Sequence, residues 1–98
     1  MFIKIIKSCR DVVAACDKKL LGKIFEEGNF QLNLKESFYK GEEVDEEKAI
    51  KILQDMIRED ATFNLAGEKT INAALKAGII TEENIGKIAG IPYSLILL

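Results

Sequence analysis

The sequence contains no histidine and no tryptophan, and it has one proline and two cysteines among its 98 residues. Histidine is the commonest general base and metal ligand near neutral pH. Its absence therefore excludes a Ser-His or Cys-His catalytic pair within the chain. Two cysteines without histidine do not make a zinc site. We expect neither a metal ion nor another cofactor.

Long hydrophobic segments are also absent. No apolar run approaches the roughly 18 residues that span a membrane, and Lys4 and Lys7 interrupt the start of the chain where a signal peptide would be continuously apolar. The composition, with 48% hydrophobic and 31% charged residues, is that of an ordinary globular protein. The length allows one domain, residues 1–98, with a small core. We expect a cytoplasmic protein.

Charge is distributed unevenly, although the net charge is only -2. Residues 1–23 carry six basic and two acidic side chains, a net charge of +4, whereas residues 24–68 carry five basic and twelve acidic ones, a net charge of -7. The basic segment could face a polyanion such as RNA. The alternative is a mixed surface that serves solubility. The basic residues of the segment are Lys4, Lys7, Arg10, Lys18, Lys19 and Lys23.

Two segments rich in β-branched residues, 2–7 and 11–16, predict an N-terminal β-hairpin. With a two-residue turn at positions 9 and 10, Ile3 would face Cys16 across the hairpin. One face would then carry alternate apolar residues of both strands and would lie against the core.

The same register separates the two cysteines. Cys9 would lie at the tip of the hairpin and Cys16 at its far end, about 20 Å away, which is too far for a disulfide. Cys16 is either a small buried apolar residue or a thiolate stabilised by nearby lysines. In the second case it could act as a nucleophile, with Asp17 or Glu27 assisting.

Short elements are expected after the hairpin. Asp17 is placed to cap a helical turn over residues 18–21, which Gly22 would end. Residues 23–27 predict a short strand. Residues 30–35 alternate between apolar and polar side chains and predict a second one.

The acidic run from Glu42 to Glu47 predicts the start of a helix. Asp45 can cap it, and the glutamates that follow complement the helix dipole. The run does not match a calcium loop, which alternates its acids around a central glycine. From Ala49 onward, apolar residues recur at helical spacing and predict one buried stripe on a helix over residues 46–58.

Residues 61–67 are compatible with a strand or with a continuing helix, and an extended segment is favoured. A shorter helix over residues 68–77 follows, and Gly78 would end it. The segment 66–70 ends like a phosphate-binding loop, but it lacks the first glycine and the Gly-Lys pair. We therefore assign no nucleotide site to it.

Two C-terminal strands, over residues 85–89 and 93–98, complete the pattern. The apolar end from Leu95 to Leu98 is either a core strand or a surface for self-association. Together these segments predict an α+β fold. It is a single small domain with a mostly antiparallel sheet from the N-terminal hairpin and the C-terminal strands, packed by one longer and one shorter helix.

Two tyrosines could stack on nucleic-acid bases. Tyr39 lies with Phe38 in a segment expected to be a loop, and Tyr93 follows the bend at residues 90–92. Aromatic side chains under a loop also commonly fill satellite clusters of the core.

Seven short motifs occur in order along nearly the whole chain: Ala15-Cys16-Asp17, Leu20-Leu21-Gly22-Lys23, Phe25-Glu26-Glu27-Gly28, Phe38-Tyr39-Lys40-Gly41-Glu42, Asn64-Leu65-Ala66-Gly67-Glu68, Ala77-Gly78-Ile79-Ile80 and Gly90-Ile91-Pro92. The set resembles a small archaeal family of uncharacterised proteins, domain of unknown function four-two-four. The resemblance implies a stand-alone α+β protein of the archaeal cytoplasm, associated with translation genes. The family pattern has histidine after the Gly-x-Pro bend, where this chain has Tyr93, so a role that needs imidazole there is in doubt.

Three functional hypotheses follow. The first is a non-enzymatic accessory factor that binds RNA or a ribonucleoprotein in translation through the basic residues named above. The second is a protein-protein interaction module or homodimer that uses the apolar C-terminal strand. The third is a cysteine-dependent enzyme, which ranks last because the chain has no histidine to serve as its base.

Overall fold

The computed structural model describes residues 1–97, in which eight strands and three α-helices are formed. In chain order they are β1 (Phe2–Ile6), β2 (Val12–Cys16), β3 (Ile24–Glu27), β4 (Phe30–Asn33), α1 (Glu36–Tyr39), β5 (Glu42–Glu43), α2 (Glu46–Arg58), β6 (Thr62–Ala66), α3 (Glu68–Ala77), β7 (Gly86–Ile88) and β8 (Ile91–Ile96). Residues 38–41 were expected to be a loop, but Phe38 and Tyr39 lie in the short helix α1. The predicted helices over residues 46–58 and 68–77 are confirmed.

The main sheet has six strands in the order β5-β1-β2-β6-β8-β7. All neighbouring pairs are antiparallel except β2 and β6, which are parallel. β3 and β4 form a separate two-stranded sheet. The α+β class with a mostly antiparallel sheet is therefore confirmed. The predicted last strand ends earlier than expected, and Leu98 lies outside the described residues.

The predicted hairpin forms, but its register is shifted by one residue. Phe2 pairs with Cys16 and Ile3 with Ala15, because the connection spans residues 7–11 instead of a two-residue turn. The sequence could not select the register, since Val13 through Cys16 are all buried and the strand is apolar on both faces. In a strand with only one buried face, the alternation of apolar and polar residues would have indicated the correct register.

Each face of the sheet has its own cover. On one, which we call the helix face, Val13, Phe63 and Leu65 pack against α2 and α3. On the other, which we call the β3–β4 face, Cys16 and Ala66 pack against residues from the segment 20–39 that contains β3, β4 and α1. Burial on both faces explains why the sequences of β2 and β6 consist mostly of small or apolar residues without alternation.

The two longer helices begin and end as their sequences indicate. The carboxylate of Asp45 accepts a hydrogen bond of 2.9 Å from the main-chain N–H of Lys48 at the start of α2. Gly78 adopts the left-handed conformation, with φ of 77°, after the last turn of α3. Within residues 1–97, no helix has the length and hydrophobicity required to cross a membrane.

Candidate functional site at the N-terminus of helix α3

Asp17 links the two parallel strands to the start of α3. Its buried carboxylate accepts hydrogen bonds from the main-chain N–H of Lys69 at 3.1 Å and of Thr70 at 2.9 Å, and from the Thr70 hydroxyl at 2.9 Å. The prediction that Asp17 caps residues 18–21 is wrong. Those residues contain only a single 3-10 turn, and the Asp17 side chain makes no capping bond to it.

The parallel pairing explains this difference. Because β2 and β6 run in the same direction, their carboxyl ends meet at one edge of the sheet, and α3 begins directly after β6. Asp17 follows β2 at that edge, so its carboxylate lies in front of the first main-chain N–H groups of α3. A negative charge is stabilised there by those N–H groups and by the helix dipole.

Gly67 is required between β6 and α3. Its φ is +106°, a conformation that side chains rarely adopt, and a Cβ atom at this position would overlap the Asp17 carboxylate. The helix N-terminus is thus already occupied by an anion from the chain itself. This agrees with the sequence interpretation that the segment 66–70 is not a phosphate-binding loop.

Cavities surround this helix end. A groove of about 370 Å³ is lined by Glu68 and by later residues of α3, and a smaller cavity of about 180 Å³ is lined by Asp17, Gly67 and Glu68. A further cavity, of about 230 Å³, is lined by three lysines and is called the lysine cavity here. Its lining residues are Met1, Asp17, Lys18, Lys19, Glu43 and Lys69.

The lysine cavity brings together basic residues from distant parts of the sequence. Lys18 and Lys19 follow β2, whereas Lys69 lies in the first turn of α3. Lys18 forms an ion pair of 3.1 Å with Glu43, and both side chains are exposed. Lys69 was not predicted as a site residue. Only the parallel pairing of β2 and β6 places it here, and that pairing leaves no local signal in the sequence.

The other predicted basic residues lie elsewhere. Lys7 and Arg10 are in the loop at the opposite end of the β1–β2 hairpin, about 17 Å away along a five-residue strand, and Lys7 pairs with Asp11 at 3.1 Å. Lys4 donates to the main-chain carbonyl of Ser37 at 2.8 Å. Lys23 is exposed before β3. The six residues therefore do not form one continuous surface.

Cys16 has no exposed surface in the described structure. Burial, and secondarily the adjacent charge of Asp17, raise the pKa of its thiol to about 11. The thiol is therefore protonated at neutral pH, and the hypothesis of a Cys16 nucleophile is wrong for this conformation. Cys9 is exposed and cannot pair with Cys16, which agrees with the predicted absence of a disulfide.

The two tyrosines have different environments. Tyr39 is buried, and its ring meets that of Phe38 edge to face with centroids 5.1 Å apart. Tyr39 therefore belongs to a cluster of the core, which was the alternative to base stacking, and it offers no free ring face for stacking. Tyr93 is half-buried and pairs with Gly86 across β7 and β8. A Cβ atom on Gly86 would lie 2.8 Å from the Tyr93 ring, so one face of this ring covers the glycine.

Among residues 1–97, no group of three or more cysteine, histidine or acidic side chains is arranged so that it could bind a metal ion. The site lies at an edge of the sheet where main-chain hydrogen bonds join three segments of the chain. The Asp17 N–H donates to the Ala66 carbonyl at 3.2 Å, and the Gly67 N–H donates to the Pro92 carbonyl at 2.8 Å. Three of the motifs noted in the sequence therefore meet at one place: those that contain Asp17, Gly67 and Pro92.

The comparisons with known proteins agree with the fold and leave the function open. A solved structure similar to this chain is the crystal structure of an uncharacterised conserved protein from Methanopyrus kandleri, with 26% sequence identity and a TM-score of 0.87. The similarity covers 97% of this chain and 88% of that one. No curated protein sequence matches the chain. The model of a family described as protein of unknown function (DUF424) matches residues 6–98, and the chain belongs to that family.

Proposed function

We propose that this protein is a non-enzymatic accessory factor that binds RNA or a ribonucleoprotein of the translation apparatus in the cytoplasm. The observation that carries the proposal is the lysine cavity, where Lys18, Lys19 and Lys69 from two separate segments surround one concave surface. The three ammonium groups outnumber the carboxylates of Asp17 and Glu43 in this lining, and an excess of ammonium groups attracts the phosphates of a nucleic acid. An archaeal source, which the resemblance implied, is suggested by the similarity to the Methanopyrus kandleri protein.

Asp17 determines how a phosphate would be bound at this surface. Because its carboxylate accepts the N–H groups of Lys69 and Thr70, these groups are not available to an external anion. The lysine side chains would supply the contacts instead. Such contacts release counterions and carry no sequence preference, so we expect weak binding that depends strongly on salt.

The remaining predicted residues have secondary roles in this proposal. Lys4, Lys7, Arg10 and Lys23 would add long-range attraction, since they lie away from the lysine cavity. Tyr93 would supply stacking through the part of its ring that Gly86 does not cover.

The test is the affinity for fluorescently labelled single-stranded RNA, measured by anisotropy over a range of salt concentrations. The double variant Lys19→Glu/Lys69→Glu changes the lysine cavity. The matched control Lys7→Glu/Arg10→Glu changes the net charge equally at the opposite end of the hairpin. We expect the cavity variant to bind at least about tenfold more weakly and the control to bind within about threefold of the unchanged protein.

Two results would refute the assignment. Absence of binding at low salt would exclude RNA as a direct partner, and equal losses in both variants would show attraction by overall charge alone. Sedimentation of cell extract then tests the wider context. The protein should travel with ribosomal particles at low salt and leave them as the salt concentration rises.

A second candidate function is self-association through the C-terminal strand. Leu95 and Leu97 are 55% and 75% exposed. Leu95 pairs with Asn64 in the register of β6 and β8 and lies on the β3–β4 face. Large apolar side chains exposed on a sheet mark sites of association. The partner proposed for them is a second copy of this chain.

The oligomeric state tests this candidate. Analytical ultracentrifugation should show a dimer for the unchanged protein and a monomer for Leu95→Ser/Leu97→Ser. These two side chains are on the surface, so the substitutions should not unfold the protein. A monomer at all concentrations would exclude the candidate.

A further inference from the structure

A groove separates α3 from the last two strands on the helix face. The main sheet continues to β7 at its edge, and a groove of about 370 Å³ lies between α3 and the segment that contains β7 and β8. Ile71 and Leu75 line it from α3, and Ile85 and Pro92 line it from the other side. Ile71 and Pro92 are buried, whereas Leu75 and Ile85 are half-buried. The groove therefore has an apolar floor that remains partly accessible to solvent.

Acidic side chains stand on the rim of the groove. Glu68, in the first turn of α3, and Glu82, in the 3-10 turn before β7, both line it and are exposed. Neither carboxylate lies within 4.0 Å of a basic group among residues 1–97. Lys87 is the opposing charge on the rim, so two carboxylates face one ammonium group.

Neither basic residue of α3 lines the groove. Lys76 forms an ion pair of 2.8 Å with Glu46 of α2. Lys69 lines the lysine cavity. Glu68 and Glu82 therefore have no ion-pair partner among residues 1–97, in contrast to Glu43 and Glu46, which are paired.

We propose that this groove binds a short extended peptide segment in which basic and aliphatic side chains alternate. The floor would take an aliphatic side chain, since burial of apolar surface is favourable. Glu68 and Glu82 would take lysine or arginine side chains, and Asn72 could bond the peptide main chain. A nucleic acid is disfavoured here because carboxylates outnumber ammonium groups on the rim of the groove, whereas in the lysine cavity three lysines face two carboxylates.

This groove and the lysine cavity differ in the sign of their excess charge. A smaller cavity of about 180 Å³ lies between them, and it is lined by Asp17 and Lys19 of the lysine cavity and by Glu68, Gly90 and Pro92 of the groove. The two surfaces would bind ligands of opposite charge. Either can therefore fail without the other, and each can be tested in the absence of the other ligand.

The test uses the full chain, labelled with ¹⁵N, and a synthetic peptide that alternates lysine and leucine. We expect shifts of the main-chain amide signals along Ile71 to Leu75 and Ile85 to Ile88. The double variant Glu68→Gln/Glu82→Gln should bind about tenfold more weakly, because both charge contacts are lost. The matched control Glu47→Gln/Glu59→Gln removes two exposed carboxylates of α2 and its C-terminal cap and should bind as the unchanged protein does.

Further peptides separate the two contributions. A peptide that alternates lysine and serine should bind more weakly, since it cannot fill the apolar floor, and one that alternates glutamate and leucine should not bind. The proposal is overturned if the lysine–leucine peptide does not bind, if its amide shifts lie outside the groove, or if both double variants lose affinity equally. The spectrum of each variant before addition of peptide shows whether it is folded.

Discussion

Asp17 accepts hydrogen bonds from both the main-chain N–H and the hydroxyl of Thr70, although 53 residues separate the two in the sequence. The substitution Asp17→Ala would leave these buried donors without a partner. We expect it to lower the free energy of unfolding by about 2 to 3 kcal/mol. Urea denaturation followed by circular dichroism measures this loss.

Asp45→Ala is the matched control, because Asp45 caps α2 through a single bond in an exposed position. Its expected cost is about 1 kcal/mol. Equal costs for the two substitutions would contradict the special role of Asp17.

Gly67 and Gly78 flank α3, and both have positive φ. An alanine at 78 meets nothing within 4 Å, so Gly78→Ala should cost only the backbone strain, about 1 kcal/mol. At 67 the added methyl group would also displace the Asp17 carboxylate, so Gly67→Ala should cost at least about 1 kcal/mol more. Comparison of the two unfolding curves checks this difference, and a cost at 67 no greater than at 78 would refute it.

The two cysteines should differ in their reaction with a thiol reagent. Cys9 is exposed, whereas Cys16 is buried and its pKa is raised to about 11. At neutral pH the native protein should incorporate one label, at Cys9, and a second only after denaturation. Mass spectrometry of the labelled peptides identifies the sites. Fast labelling of Cys16 in the native protein would show that the β2 end of the sheet opens.

Stability should decline in alkaline solution. Burial raises the pKa of Cys16 from 9.0 to about 11 and that of Tyr39 from 10.0 to about 12. Both groups hold their protons more tightly in the folded state, so their contribution is fully present below pH 9.0 and is lost as the pH rises through about 11 and 12.

The free energy of unfolding, measured from pH 8 upward toward the raised pKa of Cys16 at about 11, should therefore fall with pH. Tyr39→Phe removes one of the two titrating groups and should make the decline shallower. The same slope in that variant would show that Tyr39 does not contribute.

Gly86 and Tyr93 should be energetically coupled, because the Tyr93 ring covers the place where a side chain at 86 would project. Gly86→Ala should destabilise the protein by about 1 to 3 kcal/mol in the presence of the ring. In a Tyr93→Ala background the cost should fall by about 1 kcal/mol or more. The four proteins of this double-mutant cycle are compared by urea denaturation, and strictly additive costs would contradict the contact.

Local patterns predicted the two longer helices, α2 and α3, well. The apolar stripe from Ala49 and the capping residue Asp45 set α2, and Gly78 marks the end of α3. These signals act over a few residues and depend on main-chain geometry. The hairpin was predicted, but its register was not, because an apolar strand buried on both faces has no alternation to reveal it.

The candidate site was only partly predictable for a related reason. Lys18 and Lys19 were recognised from their charge, but Lys69 joins them only through the parallel pairing of β2 and β6. The role of Asp17 depends on the same pairing. Its neighbours in sequence suggest a local cap, whereas its hydrogen-bonding partners lie in α3.

The parallel pair at the centre of the sheet has a consequence for the order of folding. β1 and β2 are close in sequence, as are β7 and β8, so each pair closes a short loop. The pairing of Val12 with Thr62 closes a much longer one, and long loops cost more entropy before their contacts form. The β1–β2 and β7–β8 pairs should therefore form early, and the parallel pairing of β2 with β6 should form late. In the complete sheet, the main-chain amides of β2 and β6 should be the slowest to exchange with deuterium, because their hydrogen bonds open only when the whole domain unfolds.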